Sequence, residues 1–172
     1  FYNSEQNFLT RLFTLEYSLW FEVILPGLMA IKAPLPLGGT SNHFPTQLLR
    51  DMHGWDPYNV TEDADLGMRI SQRGYSTVVI DSTTLEEANS SVRGWIKQRS
   101  RWIKGYMQTY LVHTRQLHRF WEHGPKRNIL MIHVILGIRS FGILLSAVLL
   151  LAFISVRSLD LLGYELLALP NW

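Results

Sequence analysis

The chain has 172 residues, of which 47% are hydrophobic, 12% aromatic and 17% charged, and it contains no cysteine. So few charges exclude a disordered chain, and a mean hydropathy of +0.04 points to surface that faces lipid or is deeply buried. The missing thiols exclude a disulfide framework, a thiolate nucleophile and a Cys-ligated zinc site.

At this length one domain is the expectation. The net charge of +2 says little as a total. From Asp51 to Val92, eight acids face Arg69 and Arg73, a local charge of −6; from Arg93 to Arg127, nine bases face Glu122 alone, a local charge of +8. This split predicts either an acidic site beside a basic binding surface or two faces that attract one another. The chain opens at Phe1 with no Met, basic n-region or cleavage site and stops in an apolar stretch at Trp172. It therefore reads as a piece of a longer protein without a signal peptide.

In chain order, Asn7 to Ile31 is rich in Leu, Phe, Trp and Ile, but Glu16 and Glu22 interrupt it and Pro26-Gly27 is expected to break it. Two mid-bilayer carboxylates would each cost about 2.5–3.5 kcal/mol, so a buried or interfacial helix is favoured over a span. Ala33 to Pro45 carries prolines and glycines that forbid a regular helix and predict extended chain or loop. Thr46 to Met52 reads as one or two helical turns. Thr61 is placed to cap a helix whose first turn holds Glu62, Asp63 and Asp65, with Gly74 where a terminating glycine belongs.

Tyr75 to Ile80 has the β-branched density of a short buried strand. Ser91 is expected to start a long helix with an apolar stripe through Val92, Trp95, Ile96, Trp102, Ile103, Tyr106, Tyr110 and Leu111. Gly124-Pro125 closes that region. Beyond it, Ile129 to Val156 is apolar apart from His133 and Arg139, and Ser140 to Val156 carries no charge. The charge-free part alone would reach roughly 26 Å as a helix, against a hydrocarbon core of roughly 30 Å. A transmembrane helix is expected, with a buried core helix as the competing reading, and Arg139 must snorkel or find a partner. The preceding bases would then mark the cytoplasmic side.

Two motifs carry chemistry. Gln98, Arg101 and Trp102 share a helical face and combine a planar amide, a guanidinium fork and a flat ring. That set suits a ligand that is part anion and part ring, such as a sugar phosphate. A solvated Arg beside a core Trp is the plainer explanation. Asp63, in Thr61-Glu62-Asp63, sits near a helix N-terminus where its charged form is favoured and can take a proton from a hydroxyl. Asp65 and Arg69 read as a surface ion pair. Asp63-Ala64-Asp65 spells D-x-D, but the two carboxylates point roughly 200° apart on a helix, so it is not read as a chelate. His43 reads as a hydrogen-bonded loop residue, and His113, His118 and His123 scatter around a helix. No metal ligand is assigned in this chain.

Thr61-Glu62-Asp63, followed by Gln98-x-x-Arg101-Trp102 and an apolar span, resembles the membrane-embedded family-2 glycosyltransferases, the group of cellulose, chitin and hyaluronan synthases. Pro36-Leu-Gly-Gly-Thr-Ser-Asn-His-Phe44 and Asn59-Val-Thr-Glu-Asp-Ala-Asp-Leu-Gly67 look like the bacterial cellulose-synthase-like branch. The resemblance implies an α/β, helix-rich fold: part of a GT-A nucleotide-diphospho-sugar transferase domain over residues 1–127, then a transmembrane region over 128–172.

It implies Asp63 as the general base toward an acceptor hydroxyl. Glu62, Gln98, Arg101 and Trp102 are implied at the donor diphosphate and acceptor sugar, and Gly39 and Thr40 in an acceptor-side loop. The family's Mg²⁺ or Mn²⁺ ligands would lie upstream of Phe1, so this piece alone is expected to be inactive. The implied partners are a nucleotide-sugar donor, a saccharide acceptor and the lipid bilayer, at the cytoplasmic face of a bacterial inner membrane, in surface polysaccharide synthesis by inverting transfer. A non-catalytic membrane scaffold of the same fold is a second reading. A basic nucleic-acid module is a third, disfavoured by the apolar span.

Overall fold

The computed structural model describes residues 1–115, 117, 118, 122 and 126–161. Within them the chain forms helices joined by extended segments: α1 (Phe8–Ser18), α2 (Leu25–Ala30), α3 (Thr46–Asp51), α4 (Glu62–Gln72), α5 (Val92–Thr114), α6 (Arg127–Ile132) and α7 (Arg139–Leu161). Wider π-helical turns, Leu19–Ile24 and His133–Ile138, join α1 to α2 and α6 to α7 without a break.

Asn7 starts α1 with a reciprocal cap. Its side chain accepts from the Thr10 N–H at 3.0 Å, and the Thr10 hydroxyl accepts from the Asn7 N–H at 3.0 Å. The helix does not break at Pro26-Gly27 as its sequence predicts. Pro26 lies in the first turn of α2, where the π turn before it accommodates a ring that cannot donate to the preceding turn. One face of α1 buries Thr10 and Phe13, with Phe1 and Tyr17 stacked around Phe13. The opposite face leaves Phe8, Leu12, Leu15, Leu19 and Val23 exposed.

Residues 33–37 run extended and buried across α4. Gly67 permits this approach: a Cβ there would lie 2.2 Å from the Leu35 carbonyl oxygen. Two apolar clusters hang on α4. Leu66 and Ile70 meet Leu37 and Met52, while Met68 meets Ala33, Ile132, Ile135 and Leu136. Gly74, at φ 81°, ends α4 in the left-handed conformation as its position predicts.

Ser91 caps α5 through the Gly94 N–H at 3.2 Å. The apolar stripe read from sequence packs only in part: Tyr106 and Tyr110 lie against the core cluster of Met68, Ile132 and Leu136. Val92, Ile96 and Leu111 are exposed, and the residues fully buried are Gly105, Thr109 and His113, small or polar groups that let α5 approach α4 closely and hydrogen-bond across the contact.

Tyr75 to Ile80 forms no strand. The segment is irregular, with Tyr75, Val78 and Ile80 exposed, because no described segment offers it a ladder. No strand occurs among the described residues, so the α/β layering expected from sequence is not seen and the described fold is helix-rich.

Among the described residues, two helices are long and apolar enough to cross a membrane: residues 8–30 and residues 127–161. The second divides in two. Ile132, Ile135 and Leu136 belong to the core shared with α4, so the buried-helix reading holds there. From Phe141 to Ile154 the apolar side chains stand exposed. Gly124, Pro125, His123 and residues 162–172 lie outside the described residues.

Candidate active site

The Asp63 carboxylate projects from the first turn of α4. Its Oδ1 accepts from the Ala64 N–H at 2.7 Å, and its Oδ2 lies 3.5 Å from where a Cβ on Gly39 would stand. The acid and the glycine loop therefore share one corner. Burial raises the Asp63 carboxyl above its ordinary value; the Ala64 N–H pulls it down, the Glu62 charge pushes it up, and Arg101 pulls it down again. Arg101 thus acts on Asp63 from α5 while its own side chain stays exposed. Glu62 is half-exposed beside Asp63.

Thr61 does not cap α4 as its position predicts. No side-chain cap bond forms, and its side chain instead fills the space left by Gly105 on α5, where a Cβ would come within 2.4 Å of the Thr61 methyl. Asn59 completes this junction. Its Oδ1 accepts from the Thr61 N–H at 3.0 Å and its Nδ2 donates to the Thr109 hydroxyl at 2.9 Å. Asp63 is held on α5 through its neighbour.

The loop from Gly38 to Asn42 is tied down as well. The Thr40 hydroxyl donates to the Glu86 carboxylate, Ser41 pairs with Thr84, and the Asn42 amide donates to the Gly38 carbonyl. His43 is exposed.

On α5, the Gln98 carbonyl accepts from the Asn89 amide at 3.0 Å, which leaves its own amide N–H groups for other partners. Trp102 is half-buried, with the Arg99 guanidinium 4.9 Å from its ring centre and Tyr17 tilted against it at 6.4 Å. Sequence reading passed over Arg99. It makes a two-pronged ion pair with Glu16 and also lies over Phe13 and Trp95, so Glu16 anchors α1 to α5. The available signals were a carboxylate within an apolar helix and a cation between Gln98 and Arg101.

Asp65 is no surface group. Its oxygens accept from His113 Nε2 at 2.8 Å and Arg69 Nε at 2.7 Å, and Arg69 donates onward to the Met52 and Gly54 carbonyls. Burial works to raise the Asp65 carboxyl, but these bonds and charges outweigh it and hold it below its ordinary value. The Gln72 amide donates to His113 Nδ1 at 2.8 Å, which leaves Nε2 carrying the ring proton toward Asp65. Asp63 and Asp65 thus face different partners. No three His, Asp or Glu side chains gather into a metal site among the described residues.

A carboxylate at a helix start, beside a glycine loop and within the field of a guanidinium, is an arrangement chemically able to take a proton from a hydroxyl next to an anionic group. Residues 1–162 match Glycosyl transferase family group 2, and the chain belongs to that family. It is similar to a glucomannan 4-beta-mannosyltransferase of Cyamopsis tetragonoloba, at 26% identity over 118 residues that cover 68% of this chain and 22% of the relative. The chain therefore spans less than a quarter of the length of that relative. No solved structure matches it.

Proposed function

We propose that this chain is the acceptor-side part of a GT-A-type, inverting glycosyltransferase that moves a sugar from a nucleotide-diphosphate donor to a saccharide acceptor. The observation that carries the proposal is Asp63, an ionisable carboxylate made more basic by burial, set between the Gly39 loop and the field of Arg101.

In this reading the acceptor hydroxyl lies against Asp63. Its oxygen bonds to the anomeric carbon as its proton passes to the carboxylate, and the carbon–oxygen bond to the diphosphate breaks on the opposite face. The electron pair leaves with the diphosphate, whose charge Arg101 meets with help from the Gln98 amide. Trp102 is the ring of this set suited to stack on a sugar. Glu62 tunes Asp63, and Gly39 and Thr40 shape the acceptor corner. One base suffices here, whereas glycoside hydrolysis calls for two carboxyl groups placed across the scissile bond. The family's Mg²⁺ or Mn²⁺ enters no step of this account.

The reaction is placed at the cytoplasmic face of a membrane, a bacterial inner membrane on the sequence resemblance, with α7 as the first span. The exposed run that begins at Phe141 and the basic residues before α7 support that placement. We take the packed body to extend to about Ser140 instead of ending at residue 127, because Ile132 and Leu136 belong to its core. The mannosyltransferase relative supports a hexose donor and a polysaccharide product. A scaffold without catalysis would keep the packing but has no use for a carboxylate made more basic beside an exposed guanidinium.

The test is Asp63→Asn in the full-length protein. Transfer should fall by about 10²–10⁴-fold, the contribution of a positioned base, with donor affinity nearly unchanged. Turnover at the level of the parent protein would remove Asp63 from the mechanism.

A further inference from the structure

Arg139 opens α7 one residue before the charge-free run that starts at Ser140. Its guanidinium lies 4.7 Å from the Trp20 ring centre and 5.1 Å from that of Tyr106, and among the described residues no carboxylate pairs with it. Arg99, by contrast, has both terminal nitrogens on Glu16, yet its Nε is buried without a hydrogen-bond partner. The Ser140 hydroxyl, in a residue 1% exposed, is also buried without one.

All three groups line one cavity of about 60 Å³ between α5 and α7, together with Trp102, Tyr106 and Ile143. A water needs about 10–15 Å³ of such space, so the volume suits several waters or one compact oxyanion. The charges of Asp63 and Glu16 reach Tyr106 in the lining as well as those of Arg139 and Arg99, so what favours the anion is a set of donors without acceptors: the Arg139 guanidinium, the Arg99 Nε–H and the Ser140 hydroxyl. Ile143 is 48% exposed on α7, so the cavity reaches the apolar flank of that helix.

We infer that this cavity binds the phosphate of a membrane phospholipid, with the Arg139 guanidinium, the Arg99 Nε–H and the Ser140 hydroxyl as its donors. The source is the bilayer because Arg139 stands where the charge-free run meets the headgroup level, and Arg binds phosphate in a planar, forked geometry. The inference rests on the reading of α7 as a membrane span but needs nothing from the sugar-transfer chemistry.

The experiment uses the full-length protein, first tested by alkaline extraction of membranes and then, purified in detergent, by native mass spectrometry with phosphatidylglycerol or diacylglycerol. Phosphatidylglycerol should be retained and diacylglycerol, which lacks the phosphate, should not. Arg139→Gln should weaken retention about tenfold or more, the scale of a charge-assisted hydrogen bond. Ser140→Ala should weaken it less, Arg139→Lys should keep most of it, and Arg157→Gln at the far end of α7 should keep all of it. Equal retention of both lipids, or an Arg139→Gln protein that binds like the parent, overturns the site. Displacement of the lipid by inorganic phosphate at matched concentration overturns the bilayer as source. Release of the protein by alkaline extraction overturns the span and the inference with it, an outcome distinct from stable insertion with unselective lipid binding.

Discussion

Asp63 is tuned by neighbours of opposite sign, and the signs fix what their removal does. Arg101 lowers its carboxyl, so Arg101→Gln should raise it and move the acid limb of the full-length enzyme's kcat/KM profile to higher pH. Glu62 raises it, so Glu62→Gln should move that limb to lower pH. The pair of profiles separates electrostatic tuning from general damage, which would depress both without moving either. Gly67 makes a packing prediction at the same scale. Gly67→Ala drives a methyl into the Leu35 backbone oxygen, which no side-chain rotation relieves, and should destabilise the fold by about 3 kcal/mol in denaturant unfolding.

Between elements, the α4–α5 contact is a polar clasp. Asp65, His113 and Gln72 form a buried chain of hydrogen bonds with the His113 ring in the middle. His113→Ala would strand Gln72 and leave Asp65 with Arg69 alone, so a loss of about 3 kcal/mol is expected in thermal unfolding. Because the Asp65 carboxyl is held below its ordinary value, its contribution is complete above that value and is lost as pH falls through the lowered one. Stability measured from neutral pH downward should fall in that acid window, and Asp65→Asn should flatten the fall.

This clasp also shows what sequence could and could not reveal. Gly74 and Ser91 were legible because local chemistry decides a helix end: a left-handed residue in one case and a hydroxyl over a free N–H in the other. The stripe on α5 was legible at Tyr106 and Tyr110, which pack on the core, but periodicity registers apolar residues and so passed over the fully buried line through Gly105, Thr109 and His113. Tyr75 to Ile80 misled because β-propensity describes a surface that fits a sheet, and a ladder also needs a neighbour. The Arg99–Glu16 pair that ties α1 to α5 joins residues too far apart in sequence for any local pattern to connect.

At the scale of the whole molecule, a packed body extends to about Ser140 and an exposed apolar helix continues from it. The 23 residues of α7 reach roughly 34 Å, enough for a bilayer core of roughly 30 Å. Leu149 lies midway along the exposed run and is 59% exposed. Leu149→Arg should disfavour insertion by about 2.5–3.5 kcal/mol in a translocon insertion assay while leaving the body folded. Insertion equal to that of the parent sequence would place α7 against protein instead of lipid.

Positions 61 and 105 divide a single volume between two helices: the threonine occupies what the glycine leaves empty. A larger residue at 105 therefore displaces the start of α4, and the Asp63 carboxylate two residues on is carried with it. Under the proposed function, rate could then be altered from position 105 without any contact with substrate, and a matched reduction at 61 would be the means of reversal.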